Sequence, residues 1–244
     1  MGVLQRIALA YGIAAIMVIH LDLKKIFISA SGILIAYWGI LWIGGGEDPY
    51  SLEHNLIRKI DIFLLGESHL YGGTGIQFDP EGLLSTIPSV VTVLIGYLVG
   101  SMLHTTKDFL DNVKRMSTFG IGLMIVGIIW GLLFPINKQL WTSSYVLFTG
   151  GIATLILSSL CFMIDIKKWK KPLWVFQIFG TNSIFLFVLS GLWTKIILRL
   201  RFDLEGQSIS GYGYLYKTLF VPIGGNMFGS FLFAFAHLVG FWLI

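Results

Sequence analysis

Runs of about 20 apolar residues recur along this chain and constrain its fold more than any other feature. A helix crosses a hydrocarbon core about 30 Å thick in about 20 residues, whereas a transmembrane barrel shows short segments of alternating polarity. Of the 244 residues, 55% are hydrophobic and 12% are charged, and soluble domains carry roughly 25% charged residues. The sequence therefore predicts an all-α, polytopic transmembrane helical bundle.

Hydropathy predicts about seven membrane spans, at residues 3–20, 26–44, 83–104, 116–135, 142–164, 173–198 and 226–244. Short loops with several Lys or Arg follow the first, third and fifth spans, and the positive-inside rule makes such loops cytoplasmic. The other loops are then external, including the long loop 45–82, in which seven acids outnumber Arg58 and Lys59. The amino terminus would also lie outside. We therefore expect residues 1–244 to form a single membrane domain, the C-terminal two-thirds of a larger protein that has further spans upstream.

The sequences of two external segments predict helices that lie on the membrane surface. In the first, Asp48 can cap a helix that starts at Pro49, carries an apolar stripe between residues 56 and 64, and stops at Gly66. The second is expected around residues 212–220, in the last external loop. These interfacial helices would accompany the seven spans.

The third span begins with a charged segment. Asp79 is a suitable N-cap, Pro80 suits the first helical position, and Glu81 would complement the exposed N–H groups of the first turn. Pro88 lies inside the span, where it removes the hydrogen-bond donor that would serve the carbonyl of Leu84 and predicts a kink. A charged helix start beside a freed carbonyl predicts the wall of a binding site.

Small residues recur at helical spacing in two spans and predict close helix packing. In the third span they are Ser85, Ser89, Thr92, Gly96 and Gly100, and in the fourth they are Gly120, Gly127 and Gly131.

Three external residues are candidates for catalysis, namely Asp79, Glu81 and His69. The two carboxylates could hold an amine-bearing ligand, and they could equally serve the helix start; the two roles are compatible. His69 could orient a sugar or carry a proton, because imidazole titrates near neutral pH, or it could be a solvated loop residue.

Further candidates for substrate binding are Asn137, Lys138 and Asn182. The first two follow Pro135 in a tight external connection, where they could also simply form a turn. Asn182 lies about half-way along the sixth span, where an amide is costly unless it faces a cavity or bonds a neighbouring helix. No metal site is predicted, because the histidines lack ligand spacing and Cys161 is isolated.

Several short motifs together resemble one enzyme family. They are GVLQRI at 2–7, LLG at 64–66 followed by HLY at 69–71, FDPEG at 78–82, PINKQLWTSSY at 135–145 and NSI at 182–184. Their order and sequence resemble the heparan-alpha-glucosaminide N-acetyltransferase family, which contains a lysosomal enzyme and many bacterial inner-membrane homologues. The resemblance extends over nearly the whole chain.

The resemblance implies an activity, a donor and a location. The implied activity is transfer of an acetyl group from cytoplasmic acetyl-CoA to the amino group of an external glucosamine, in the bacterial inner membrane. The coenzyme phosphates could meet the basic residues Lys167, Lys168, Lys170 and Lys171, which also serve as a positive-inside signal. The family's catalytic histidine lies upstream of the residues present here, so the resemblance implies that this chain alone is inactive.

A permease for an aminosugar or glycan fragment is the alternative function. Transporters commonly show paired interrupted helices in two related halves, and the sequence shows no internal symmetry of that kind. Thioester consumption would separate an enzyme from a permease. The expected partners are a small-molecule or glycan substrate and the lipid bilayer, with no nucleic acid, and the sequence leaves homo-oligomer formation open.

Overall fold

A computed structural model of the chain describes residues 2–73, 75–103, 105–171 and 174–244, the side chain of Val175 excepted. The described chain is mainly helical and divides into two compact units, Met1–Lys168 and Trp169–Ile244. Each unit is described by itself below, and the expectation of a single membrane domain stays a prediction.

The first unit consists of six α-helices and short connecting elements. They are α1 (Val3–His20), α2 (Leu23–Gly44), α3 (Leu56–Leu65), a 3₁₀ turn (Glu67–His69), α4 (Thr86–Met102), α5 (Phe109–Gly131) and α6 (Ser143–Cys161), which a π-helical turn (Phe162–Ile166) continues. The main core contains buried residues of α1, α2, α4, α5 and α6. A second, smaller core lies around Tyr37, Phe78 and Phe134.

Glycines bring α5 and α6 into close contact, as the small-residue stripe of the fourth span predicts. A Cβ on Gly127 would lie 2.6 Å from the backbone nitrogen of Phe148, and one on Gly151 would lie 2.6 Å from that of Met124. The stripe of the third span behaves differently. A Cβ on Gly96 or Gly100 would meet no described atom within 4 Å, so the prediction that this pair packs against another helix is wrong for the described residues.

The third span starts later than its sequence predicts. Turns at residues 80–81 and 83–85 precede the helix, and α4 begins at Thr86 with Ser85 at its N-cap position. The reason is Pro88, whose ring would clash with the carbonyl of Leu84 in a continuous helix; the helix instead begins after Leu84 and places Pro88 in its first turn. The carbonyl of Leu84 accepts a hydrogen bond from the backbone N–H of Ile87 at 3.1 Å. The predictions that Asp79 caps this helix and that Pro88 kinks it are therefore wrong.

Helix α3 is shorter than the predicted surface helix. It begins at Leu56 with Asn55 as its cap and ends at Gly66, whose φ is +80°. Asn55 accepts from the backbone N–H of Arg58 at 2.9 Å and donates to the carbonyls of Ser51 and Leu52. These bonds hold the preceding residues in turns, so the predicted start at Asp48 and Pro49 is wrong, while the stop at Gly66 is confirmed.

The second unit contains helices and one hairpin. They are α7 (Trp174–Thr181), α8 (Ser183–Arg199), β1 (Arg201–Leu204), β2 (Gln207–Ser210), α9 (Gly211–Leu215), a π-helical turn (Tyr216–Phe220) and α10 (Val221–Leu243). The antiparallel strands are joined by Glu205 and Gly206, both with positive φ, as a tight two-residue hairpin requires. The hairpin was not predicted, whereas the helical segment at 212–220 is confirmed.

Five described helices are long and apolar enough to cross a membrane, namely Val3–His20, Leu23–Gly44, Phe109–Gly131, Ser143–Ile166 and Gly211–Leu243. Helix α4 is apolar but has only 17 residues. The predicted sixth span is divided at Asn182 into α7 and α8. The chain is thus an all-α membrane protein, and the predicted number of about seven spans is not confirmed.

Candidate functional site

A polar cavity of about 440 Å³ lies in the first unit, where three distant segments meet. These segments are the start of α1, the loop that runs from Tyr71 to the start of α4, and the connection between α5 and α6. The cavity is lined by Arg6, Tyr71, Pro80, Glu81, Lys138, Gln139 and Trp141. Every lining residue belongs to one of the motifs that the sequence analysis singles out, and the fold brings those motifs together.

Arg6 holds the segment that carries Glu81. Its guanidinium donates to the carbonyl of Pro80 at 2.8 Å and to that of Ser85 at 3.1 Å. The same group lies 3.9 Å from the centre of the Trp141 ring, a cation–π contact. The side chain is only 5% exposed. The planar fork of an arginine suits this combination, because it can donate to two separate carbonyls while its face lies over an aromatic ring.

Asp61, on α3, holds the segment that carries Glu81 through a hydrogen bond to a backbone N–H. Its Oδ1 accepts from the backbone N–H of Leu83 at 3.0 Å, and its Oδ2 is buried and has no hydrogen-bond partner among the described residues. Burial raises the pKa of this carboxyl, the Leu83 N–H lowers it, and the neighbouring charge of Asp79 raises it further. A Cβ on Gly82 would overlap Oδ2, so a larger residue at this position would displace the Asp61 carboxyl.

Asp79 lies beneath the cavity wall and is almost fully buried. Its Oδ1 accepts from the backbone N–H of Glu81 at 3.0 Å, and its carbonyl accepts from that of Gly82 at 3.0 Å. An aspartate that bonds the amide two residues ahead is a standard turn device. Asp79 thus shapes the turn that presents Glu81, and Glu81 is the carboxylate that lines the cavity.

The connection between α5 and α6 is tightly bonded. Asn137 accepts through Oδ1 from the backbone N–H groups of Gln139 at 2.8 Å and Leu140 at 3.3 Å. The hydroxyl of Tyr37 donates to the carbonyl of Leu140 at 2.5 Å. Trp141 has a φ of +50° and donates through its ring nitrogen to Thr92 at 3.3 Å. Asn137 therefore orders this turn, and Lys138, which is exposed, lines the cavity.

The other predicted site residues lie elsewhere. His69 is exposed in the 3₁₀ turn, with its Nδ1 3.2 Å from the hydroxyl of Ser68, and it does not line the cavity. Lys167 and Lys168 are exposed at the end of the first unit, and Lys170 and Lys171 are exposed in the second.

Asn182 belongs to the second unit, at the break between α7 and α8. Its side-chain amide donates to the carbonyl of Ile178 at 3.0 Å and to the hydroxyl of Thr181 at 3.3 Å. These bonds lie within its own helical segment, and the side chain is exposed in the described structure.

Sequence analysis missed Arg6, Trp141 and Asp61 as parts of the site. For Arg6 a signal was present, because a charged residue inside an apolar span marks a functional site by default. Trp141 gave no such signal, because a tryptophan at the membrane interface is common and needs no functional role. Asp61 gave none either, because it is one of seven acids in its loop.

Comparison with curated proteins identifies two similar enzymes. The heparan-alpha-glucosaminide N-acetyltransferase of Mus musculus is 34% identical over 171 residues, which cover 62% of this chain and 26% of the mouse protein. That of Homo sapiens is 34% identical over 146 residues, which cover 53% of this chain and 22% of the human protein. The chain therefore spans about a quarter of the length of these relatives. No family model matches the chain. The resemblance that its motifs indicate is confirmed as a distant relationship, over 53–62% of the chain and not over nearly all of it.

Proposed function

We propose that this chain, a distant relative of the heparan-alpha-glucosaminide N-acetyltransferases, is part of an integral membrane acyltransferase. In this proposal the enzyme moves an acetyl group from cytoplasmic acetyl-CoA to the amino group of an external glucosamine-type sugar. The bacterial inner membrane is its proposed location.

The observation that carries the proposal is the composition of the 440 Å³ cavity. Glu81 supplies a carboxylate that can accept hydrogen bonds from a sugar amine. Trp141 supplies an aromatic surface, and Lys138 and Gln139 supply donors for sugar hydroxyls. Small-molecule sites combine apolar or aromatic walls with a few polar groups that fix orientation. This combination suits an amine-bearing sugar.

The residues of this chain have distinct roles in the proposed reaction. Glu81 would accept a hydrogen bond from the neutral amine and so orient its nitrogen toward an acyl carbon. As the C–N bond forms, the C–S bond of the thioester would break, and the amine's proton would leave with the released thiol. Arg6, Asp61 and Asp79 hold the turn that carries Glu81, because they bond its carbonyls and amides from three sides. Holding a reactant in one orientation removes part of the entropic barrier to transfer.

Acetyl-CoA would supply the acyl group as a thioester. Coenzyme A carries phosphates, which lysines bind as point charges. Lys167 and Lys168 fit this role by charge and exposure in the first unit, and neither forms an ion pair within the described part of the chain. Lys170 and Lys171 have the same charge and exposure in the second unit.

The permease alternative gains one observation from the second unit. Two of its apolar helical segments are interrupted, one at Asn182 and one at Gly224 and Gly225, where the backbone leaves helical geometry. Interrupted helices form substrate sites in many transporters. Both interruptions lie in a single unit, however, whereas transporters place them in two related halves.

The two functions differ in what happens to a thioester. Membranes from cells that express the protein from its natural gene should consume acetyl-CoA thioester only when glucosamine is present, and N-acetylglucosamine should form in equal amount. The control is the same membrane with glucose, which lacks the amine. Accumulation of unmodified glucosamine in sealed vesicles, without thioester loss, would establish the permease instead.

A further inference from the structure

A groove of about 900 Å³ lies between α2 and α5 in the first unit. It shares no lining residue with the polar cavity around Glu81. Its walls are mainly apolar and include Phe27, Leu34, Ile35, Phe119, Leu123, Val126 and, from α6, Leu147. Walls of this kind between two spanning helices suit an acyl chain of a bilayer lipid.

One end of the groove is basic. Lys114 and Arg115 line it there, together with Asp111, which pairs with Arg115 at 2.9 Å. Lys114 is exposed and forms no ion pair within the described ranges. On α2, Lys24 lies three residues before Phe27 and so shares its face of the helix. At this end the positive charges of Lys24, Lys114 and Arg115 outnumber the negative charge of Asp111.

The other end of the groove is closed by aromatic rings. Trp130 lines that end, and its ring meets the ring of Trp38 edge-on with 5.9 Å between centroids. From Lys114 to Trp130, which line its two ends, helix α5 rises about 24 Å, at roughly 1.5 Å per residue. Half of a hydrocarbon core about 30 Å thick is about 15 Å. The groove therefore starts at a basic end and extends past the middle of the hydrocarbon core.

We infer that this groove binds an anionic phospholipid, with one acyl chain between α2 and α5 and the phosphate at Lys114 and Arg115. The charge complementarity selects the headgroup, because basic pockets between spanning helices at the cytoplasmic side bind anionic lipid headgroups. The predicted orientation places Lys114 at that side. The inference does not depend on the proposed acetyl transfer.

Gly122 permits a direct test. It lines the groove, and a Cβ there would meet no described atom within 4 Å, so the Gly122→Leu variant should fill the groove without disturbing the fold. Gly96→Leu is the matched control, because Gly96 is an exposed glycine inside α4, has the same free space and does not line this groove. The measurement is native mass spectrometry of the purified protein, expressed from its natural gene, with phosphatidylglycerol and, separately, with phosphatidylcholine.

The parent chain and Gly96→Leu should retain one tightly bound phosphatidylglycerol in preference to phosphatidylcholine, and Gly122→Leu should lose it. The Lys114→Gln variant should bind phosphatidylglycerol about fivefold more weakly, which corresponds to about 1 kcal/mol for one basic residue near the surface. Retention of the lipid by Gly122→Leu would overturn the inference. Equal binding of the two lipids by the parent chain, or displacement of the lipid by coenzyme A, would also overturn it.

Discussion

Replacing Arg6 by Met tests how the turn before α4 is held. The guanidinium donates to the carbonyls of Pro80 and Ser85 and stacks on Trp141. Hydrogen bonds to a charged group contribute about 1.5–3 kcal/mol each, and a cation–π contact contributes about 0.5–2 kcal/mol. Methionine removes all three interactions but also removes the cost of burying a charge whose Nε has no partner among the described residues. We therefore expect a net loss of about 2 kcal/mol in the free energy of unfolding.

The assay is denaturant unfolding in mild detergent, combined with hydrogen–deuterium exchange of the peptide that covers residues 78–86. Arg6→Met should lower the free energy of unfolding and increase exchange in that peptide. Lys25→Met is the control, because Lys25 is exposed and forms a surface pair with Asp22, which contributes about 0.2–1 kcal/mol. If Arg6→Met were as stable as the parent chain and exchange at 78–86 were unchanged, Arg6 would not hold this turn.

Three further predictions follow from other parts of the first unit. Because burial raises the pKa of Asp61, the folded chain binds the carboxyl proton more tightly than the unfolded chain does. The contribution of protonated Asp61 to stability is therefore full at acid pH. It falls as pH rises from the ordinary carboxyl pKa through the raised one. Thermal unfolding at a series of pH values should show this fall in the parent chain and not in Asp61→Asn, and an identical slope in both would contradict it. Gly127→Ala should cost about 1–3 kcal/mol in denaturant unfolding, because its Cβ would lie 2.6 Å from the Phe148 nitrogen; Gly96→Ala is the control and should not be destabilised. Single cysteines, introduced in a Cys161→Ser background, test the orientation with an impermeant thiol reagent. Those at Thr106 and Lys168 should react only from the cytoplasmic side, and those at Ser68 and Gln139 only from outside. The reverse pattern would overturn the predicted orientation.

Local sequence signals predicted most of the helices. Five long apolar helices overlap predicted spans because length and hydropathy are local properties of the sequence, although Phe109–Gly131 and Gly211–Leu243 begin well before the predicted starts at 116 and 226. The stop of α3 at Gly66 follows from a single residue that tolerates a positive φ. The predicted start of α4 is wrong because two local signals favour different starts. Residues 79–81 favour a start at Asp79, whereas the ring of Pro88 would clash with the carbonyl of Leu84 in a helix that began there. The observed start at Thr86 avoids that clash.

The site itself depends on contacts between residues that are far apart in sequence. Arg6 and the carbonyl of Pro80 are separated by 74 positions, and Tyr37 and Leu140 by 103. No periodicity or spacing encodes such pairs. The motifs did indicate which segments matter, since all of the cavity's lining residues come from them. They did not indicate that Asp79 would be buried beneath the wall while Glu81 lines the cavity.

The central claim is that Glu81 holds the amine of an external aminosugar, and glucosamine affinity tests it most directly. Isothermal titration of glucosamine should be carried out with the parent protein, Glu81→Gln and Glu67→Gln, each expressed from the natural gene and matched for thermal stability. Glu67 is the control, because it is an exposed acid of the same loop that pairs with Arg58 and does not line the cavity. Loss of one charge-assisted hydrogen bond of about 2 kcal/mol predicts roughly thirtyfold weaker binding for Glu81→Gln and no change for Glu67→Gln. Equal affinity of Glu81→Gln and the parent protein would contradict the account.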